Sequence, residues 1–240
     1  MLIDQELCIG CEQCVAYCPV GAIELKEDVC EIDLDECVEC FNCLRCAGCP
    51  VDAIYQQPLT YPRTVRSLMS DVLTVAEESQ ISGRGTEEMK TNDVTGRFKL
   101  GEVGIGIEVG RPTTGTRLKD VETIAMAVAR LGVVFEKINP TTSMMSDTGT
   151  GKFKDELLNE KVLSAIIEFS VALEKLPELF ETLREVSGRI DSVFSLDLAT
   201  RLADDGSVPT DRYVQESGLW IAKNGKTNVG LGRPLFEEVK

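Results

Sequence analysis

Ten cysteines fall within the first 49 residues of this chain, and none in the 191 that follow. Cys8, Cys11, Cys14 and Cys18 are separated by two, two and three residues, and Pro19 follows. Cys37, Cys40, Cys43, Cys46 and Cys49 form a second run, and Pro50 follows. An iron–sulfur core demands soft thiolate donors. Three cysteines at two-residue spacing lie on one tight loop that can cup three irons, and the fourth must come from elsewhere. Proline after the last cysteine ends local pairing and fixes the turn.

The two runs are copies of one unit. Ile3-Asp4 precedes Cys8 as Ile32-Asp33 precedes Cys37, and Cys18-Pro19-Val20-Gly21-Ala22-Ile23 matches Cys49-Pro50-Val51-Asp52-Ala53-Ile54. Both ends align Cys8 with Cys37, Cys11 with Cys40, Cys14 with Cys43 and Cys18 with Cys49. The second copy carries two extra residues before its last cysteine, and Cys46 lies in that enlarged loop. Residues 1 to about 57 therefore resemble a bacterial-type two-[4Fe–4S] ferredoxin, whose run is C-x2-C-x2-C-x3-C-P with the fourth cysteine on the other cluster. The resemblance implies two [4Fe–4S] clusters, low-potential electron transfer and crossed ligation. One cluster takes Cys8, Cys11, Cys14 and Cys49; the other takes Cys37, Cys40, Cys43 and Cys18. The departure is C-x5-C-P in the second run. Because Cys40, Cys43 and Cys46 also read C-x2-C-x2-C, Cys46 is an alternative ligand, or else a spare thiol.

Other uses of cysteine fit less well. A disulfide framework belongs to a secreted chain with a signal peptide, and Met1-Leu2-Ile3-Asp4 opens with no basic region and no apolar stretch. Zinc needs four ligands and has no use for a C-x2-C-x2-C triplet. Cys30 lies in the strand-like segment Val29-Cys30-Glu31-Ile32 and reads as an inert small thiol. Tyr17, Phe41 and Tyr55 either exclude water from the clusters or simply supply the little core that so short a module can build.

The chain lacks histidine, which removes Rieske centres, histidine-ligated haem and every Ser–His or Cys–His nucleophile. The net charge of −15 is unevenly placed, since residues 1–57 hold twelve acids and two bases. Bound clusters add further negative charge. The expected partner is a redox enzyme subunit with a basic docking surface, not nucleic acid. No apolar run reaches transmembrane length, so no membrane insertion is expected. Labile clusters and reduced thiols suggest the cytoplasm of an anaerobe.

Residues 58–100 read as a linker and a Gly-rich polar loop. Gln57-Pro58-Leu59-Thr60-Tyr61-Pro62 is proline-rich, and residues 63–78 hold a short apolar element with Val65, Leu68, Met69, Val72 and Val75 on one face. Arg84, Lys90, Arg97, Arg111 and Arg117 can gather an anion or contact a partner, with Thr113-Thr114-Gly115-Thr116 adding donors. The plainer alternative is a surface loop gripping the cluster module.

Residues 101–240 alternate as a strand over 102–110, a helix from Asp120 to Leu131 ended by Gly132, and a strand over 133–138. A long amphipathic helix is expected over about 154–176, with a second over 178–187 after Pro177. A strand through Phe194, Leu196 and Leu198 follows, and Asn224-Gly225 marks a hairpin between 219–223 and 226–229. The expected fold class is α+β: a two-cluster ferredoxin module followed by an α+β sandwich, with helices on one face of a mostly antiparallel sheet. Neither Gly104-x-Gly106-x-x-x-Gly110 nor Gly149-Thr150-Gly151-Lys152 matches a nucleotide-binding fingerprint.

No catalytic constellation is evident in 58–240. Three functions are consistent with this pattern. The first is the non-catalytic iron–sulfur subunit of an anaerobic oxidoreductase complex. The second is an iron–sulfur enzyme using the Gly/Thr/Arg-rich loop. The third is a small-molecule-sensing module with redox-active clusters.

Overall fold

The computed structural model describes residues 1–75, 96–111 and 114–221. The first quarter holds two small antiparallel ribbons. Strand β1 is Leu2–Ile3, β2 is Ile23–Lys26, β3 is Val29–Ile32, helix α1 is Asn42–Cys46 and β4 is Ile54–Tyr55. The pairing exchanges the ends of the two repeats. β1, which opens the first copy, pairs with β4, which closes the second, through Leu2↔Tyr55 and Ile3↔Ile54. β2, which closes the first copy, pairs with β3, which opens the second, through Ile23↔Ile32. Met1, Ile3, Ala22, Ile23, Ala53 and Ile54 are buried here together with Cys14, Cys30, Cys37 and Cys43. So thin a core needs further staples to hold.

Helix α2, Thr64–Ser70, follows the proline-rich stretch. Its buried Val65 and Met69 belong to the core of the second domain, whereas Val72 and Val75, expected on the same face, are 75% and 48% exposed. The apolar face stops where the helix does.

In the second domain the elements are β5 (Glu102–Val109), β6 (Thr116–Arg117), α3 (Leu118–Ala129), β7 (Val134–Phe135), α4 (Pro140–Ser143), β8 (Met145–Asp147), β9 (Lys152–Phe153), β10 (Lys161–Val162), β11 (Ala165–Ala172), α5 (Leu176–Ser187), β12 (Phe194–Thr200) and α6 (Asp211–Ser217). The main sheet runs β12-β5-β11-β7, antiparallel throughout. With two helices this is the β-α-β-β-α-β order of the split β-α-β arrangement, so the domain is α+β. Val103, Ile105, Ile107 and Val109 alternate along β5 and are fully buried. They share one core with Val121, Ile124 and Val128 of α3 and with Leu179, Phe180 and Leu183 of α5. On the opposite side of β5, a Cβ at Gly104 would lie 2.3 Å from the Phe98 ring, so glycine is required there.

Several expectations fail in this domain. The long helix over 154–176 is instead a short 3₁₀ turn, β10 and the central strand β11. β11 is buried on both faces, with Ile166 and Ile167 both inside. A continuous apolar run of that kind fits helical and strand periods alike, and its β-branched residues favour the strand. Pro177 sits in the first turn of α5, where its missing N–H costs no hydrogen bond. The expected strand over 133–138 shrinks to an edge pair, because Asn139 caps α4 by accepting from the N–H groups of Thr141 and Thr142. Asp120 lies inside α3 instead of capping it. Leu219 to Ile221 forms no strand, and residues 222–229 of the expected hairpin lie outside the described residues.

The two parts are joined by buried charge. Arg66 of α2 is 3% exposed. Its Nη1 donates to the carbonyls of Leu34 (3.1 Å), Asp35 (2.8 Å) and Cys37 (2.8 Å), and its Nε donates to Glu160 at 2.5 Å. Arg117 and Lys161, paired neighbours on β6 and β10, reach Glu36, and Arg117 also bonds Asp35 at 2.6 Å. Replacing Arg66 by alanine leaves Glu160 and the carbonyls of Asp35 and Cys37 without this donor, while the Leu34 carbonyl keeps Arg63 at 2.8 Å. Loss of one partner of a buried pair costs about 3–5 kcal/mol. Denaturant unfolding of the iron-loaded protein should register a loss of that order for Arg66→Ala, with little rescue by Arg66→Lys, which lacks the guanidinium fork. A loss under about 1 kcal/mol, the scale of a surface pair, would remove Arg66 from this role.

Candidate iron–sulfur site

The cysteine loops are shaped by residues with positive φ at matching places in the two repeats. Gly10 (φ 64°) and Glu12 (φ 59°) flank Cys11, as Glu39 (φ 54°) and Phe41 (φ 63°) flank Cys40. Gly21 (φ 66°) and Asp52 (φ 51°) follow the two Cys-Pro pairs at equivalent positions. Non-glycine residues resist this region at roughly 1–2 kcal/mol each. Its recurrence in both copies marks a conformation imposed by the loop's task. Only Gly10 is sterically obliged to be glycine: a Cβ there would meet the Asp28 carbonyl at 2.4 Å.

Exchange of the strand ends carries the last cysteine of each run to the other triplet. Cys8, Cys11, Cys14 and Cys49 surround one cavity together with Cys30, Ile3, Ile9, Val51, Ala53 and Ile54. Cys18, Cys37, Cys40 and Cys43 surround another with Met1, Tyr17, Ile23, Val38 and Phe41. The two cavities are alike in size, and both are open to solvent on one side. Cys46 is exposed and lines neither cavity. The two extra residues of the second run are taken up by α1, which stands where the first copy has the 3₁₀ turn Val15–Tyr17. Tyr17 and Phe41 therefore lie at a cavity wall, while Tyr55 does not.

Main-chain N–H groups already point at sulfur. The Ala22 N–H donates to Cys18 Sγ at 3.1 Å, the equivalent Ala53 N–H to Cys49 Sγ at 3.3 Å, and the Cys30 N–H to Cys8 Sγ at 3.4 Å. Such donors stabilise thiolate. Without a bound cation, burial does the opposite: it pushes the Cys14 and Cys43 thiols up to about 12 and raises Cys37 and Cys40. Loading the site must therefore displace protons. Soft sulfur donors on apolar walls, with amide donors aimed at them, fit an iron–sulfur group. Among the described residues no three His, Cys, Asp or Glu side chains converge on one point as the ligands of a single ion would. A cubane presents its irons at separate corners and asks for a different arrangement.

Charged groups around the second loop are also fixed. Buried Glu39, next to Cys40, accepts from the Met1 amino group at 2.6 Å and from Arg63 Nε at 2.8 Å. Arg45 of α1 lies 4.8 Å from the centre of the Phe41 ring and bonds both oxygens of Asp71. The Arg45 hydrogen bonds hold the Asp71 carboxyl down at about 2. That contribution to stability is complete above the ordinary carboxylate range near 4 and is lost as pH falls through about 2.

The arginines expected to gather an anion are held by different carboxylates. Arg97 pairs with Glu136 at 2.5 Å, and Arg117 with Asp35 and Glu36. Arg111 is exposed, and Arg84 and Lys90 lie outside the described residues. Sequence reasoning missed Arg66, Arg63 and Glu39. The available signal was an excess of acid in residues 1–57, which calls for cations from beyond residue 57.

A family model described as a 4Fe-4S binding domain matches residues 1–24. That stretch is a ferredoxin-type iron–sulfur segment, which implies 4Fe–4S binding and electron transfer in general terms. No curated protein and no solved structure matches the chain. Among the described residues no helix is long and apolar enough to cross a membrane.

With one cluster at each cavity, Cys14→Ser and Cys43→Ser should each lose about half of the bound iron, and Cys46→Ser none. Iron and acid-labile sulfide assays on anaerobically prepared protein decide this. Full iron in the first two variants, or a half loss in the third, would reverse the assignment.

Proposed function

We propose that this chain carries electrons at low potential through two [4Fe–4S] clusters, as the iron–sulfur subunit of an anaerobic oxidoreductase complex in the cytoplasm. The observation that carries the reading is the division of eight cysteines between two cavities, Cys8, Cys11, Cys14 and Cys49 about one and Cys18, Cys37, Cys40 and Cys43 about the other. Each cluster, when bound, takes up and passes on a single electron. The chain's own residues supply thiolates, aim N–H groups at Cys18, Cys49 and Cys8, and exclude water with Ile3, Ile23, Ile54 and Phe41.

The second domain leaves the two cavities unequal. Its cations grip the loop around Cys37, whereas Cys11 is exposed, with Leu7 and Ile9 50% and 62% exposed beside it. Exposed Glu6, Glu12, Glu27 and Asp28 surround that edge. A partner with basic residues around a small apolar contact fits it. Electrons then arrive at the first cluster and pass to the second, which lies against the appended domain.

Anaerobic protein should carry about eight irons per chain, and dithionite reduction should give the EPR signal of two interacting clusters. About four irons and one isolated signal would sink the two-cluster reading. Electron exchange with a basic redox protein should slow as salt rises from about 0.01 to 0.15 M, where the screening length falls from about 30 to about 8 Å. A rate indifferent to salt would remove the electrostatic docking.

A further inference from the structure

We propose that the cations which the chain beyond residue 57 brings to the second ligand loop raise the potential of the second cluster above that of the first, with Arg66 as the buried member of the set. The inference rests on the two-cluster reading above. Arg66 is 3% exposed, and its Nη1 donates at 2.8 Å to the carbonyl of Cys37, itself a ligand candidate. Arg63 donates through Nε to Glu39 at 2.8 Å, beside Cys40. Arg117 and Lys161 both reach Glu36, beside Cys37. The appended domain also stands close to the cavity wall. A Cβ at Gly115 would lie 3.2 Å from Val20 Cγ1, and Val20 lines the second cavity. Two carboxylates from beyond residue 57 accompany these four cations, Glu160 on Arg66 and Asp71 on Arg45. Among the described residues, the second loop therefore gains more positive than negative charge from the rest of the chain.

The first loop has no such supply. Among the described residues, Glu6, Glu12, Glu27 and Asp28 meet no cation from beyond residue 57. Lys26, on the nearby β2–β3 ribbon, is exposed and pairs with Glu24 and Glu31. A cluster gains a negative charge on reduction, and the net charge around it sets its potential. A fixed cation favours the reduced form and raises that potential. Exposed charges act weakly because salt screens them, whereas buried ones are screened much less, which gives Arg66 its weight. The repeat makes the comparison internal: one ligand pattern stands twice in the chain, and the added charge stands at one copy. None of these cations bonds to iron in this account.

The test is an EPR-monitored redox titration of the iron-loaded full chain, with iron analysis, for the wild type and for Lys161→Gln, Arg117→Gln, Glu36→Gln, Arg66→Gln and Arg66→Lys. Lys161→Gln and Glu36→Gln break the same ion pair but remove opposite charges. The wild type should show two separate midpoint potentials. The higher one should fall in Lys161→Gln, Arg117→Gln and Arg66→Gln and rise in Glu36→Gln. It should stay near the wild-type value in Arg66→Lys, which keeps the charge. The lower midpoint should hold its place throughout. Shifts of the same sign in Lys161→Gln and Glu36→Gln would signal packing alone and overturn the proposal. Coincident midpoints in the wild type, no shift in the charge-removing variants, or equal movement of both midpoints would overturn it too. If Arg66→Gln sheds iron, Lys161→Gln and Glu36→Gln decide, since both leave Arg66 in place. A wild-type chain with about four irons would instead overturn the two-cluster reading, before any substitution is made.

Discussion

Exchange of strand ends between the two repeats is the constraint on which the small module depends. β1 pairs with β4 and β2 with β3. Each pairing fastens the segment after one Cys-Pro to the segment before the other triplet. Cys49 must then lie by Cys8, Cys11 and Cys14, and Cys18 by Cys37, Cys40 and Cys43. Two-residue and four-residue ribbons are too short to be stable alone. Their pairing and the two sulfur-lined cavities support one another, and neither has a large apolar core to fall back on.

Acidity is the module's second constraint. Residues 1–57 carry only Lys26 and Arg45 against twelve acids. Cations from the rest of the chain meet part of that excess: Arg63 on Glu39, Arg66 on the carbonyls of the second loop, and Arg117 and Lys161 on Asp35 and Glu36. All of these lie around the second ligand loop. The buried pair of Arg66 and Glu160 contributes less through its charge than through position, because guanidinium geometry fixes three carbonyls and one carboxylate at once. The second loop is held by those cations, and the first is exposed at Cys11.

The sequence was most informative where chemistry and spacing coincide. The cysteine register was legible because both flanks of the repeat, Ile-Asp before and Pro-Val-x-Ala-Ile after, fix it independently. β5 was legible because Val103, Ile105, Ile107 and Val109 alternate with glycine and glutamate. β11 was not, since Ala165-Ile166-Ile167 is buried on both faces and two-sided burial erases the alternation. Arg66 was not legible either. A cation on a short helix after a proline-rich stretch reads as solvated surface until the carbonyls of Leu34, Asp35 and Cys37 are seen around it. The place of Cys30 on a cavity wall was not legible either, because its strand pattern says nothing of what the strand packs against.

The two repeats have diverged at the places where their surroundings differ, and each divergence has a physical reason. Gly10 is crowded by the Asp28 carbonyl at the β2–β3 turn, so no side chain fits there. Its counterpart Glu39 faces Arg63 and the Met1 amino group, where a carboxylate is wanted. The second copy's extra residues form α1, whose Arg45 ties it to Asp71. One loop is pinned to the appended domain and the other opens outward through Cys11. The duplication supplies the fold of both cavities, and the residues that break its symmetry make the two unequal.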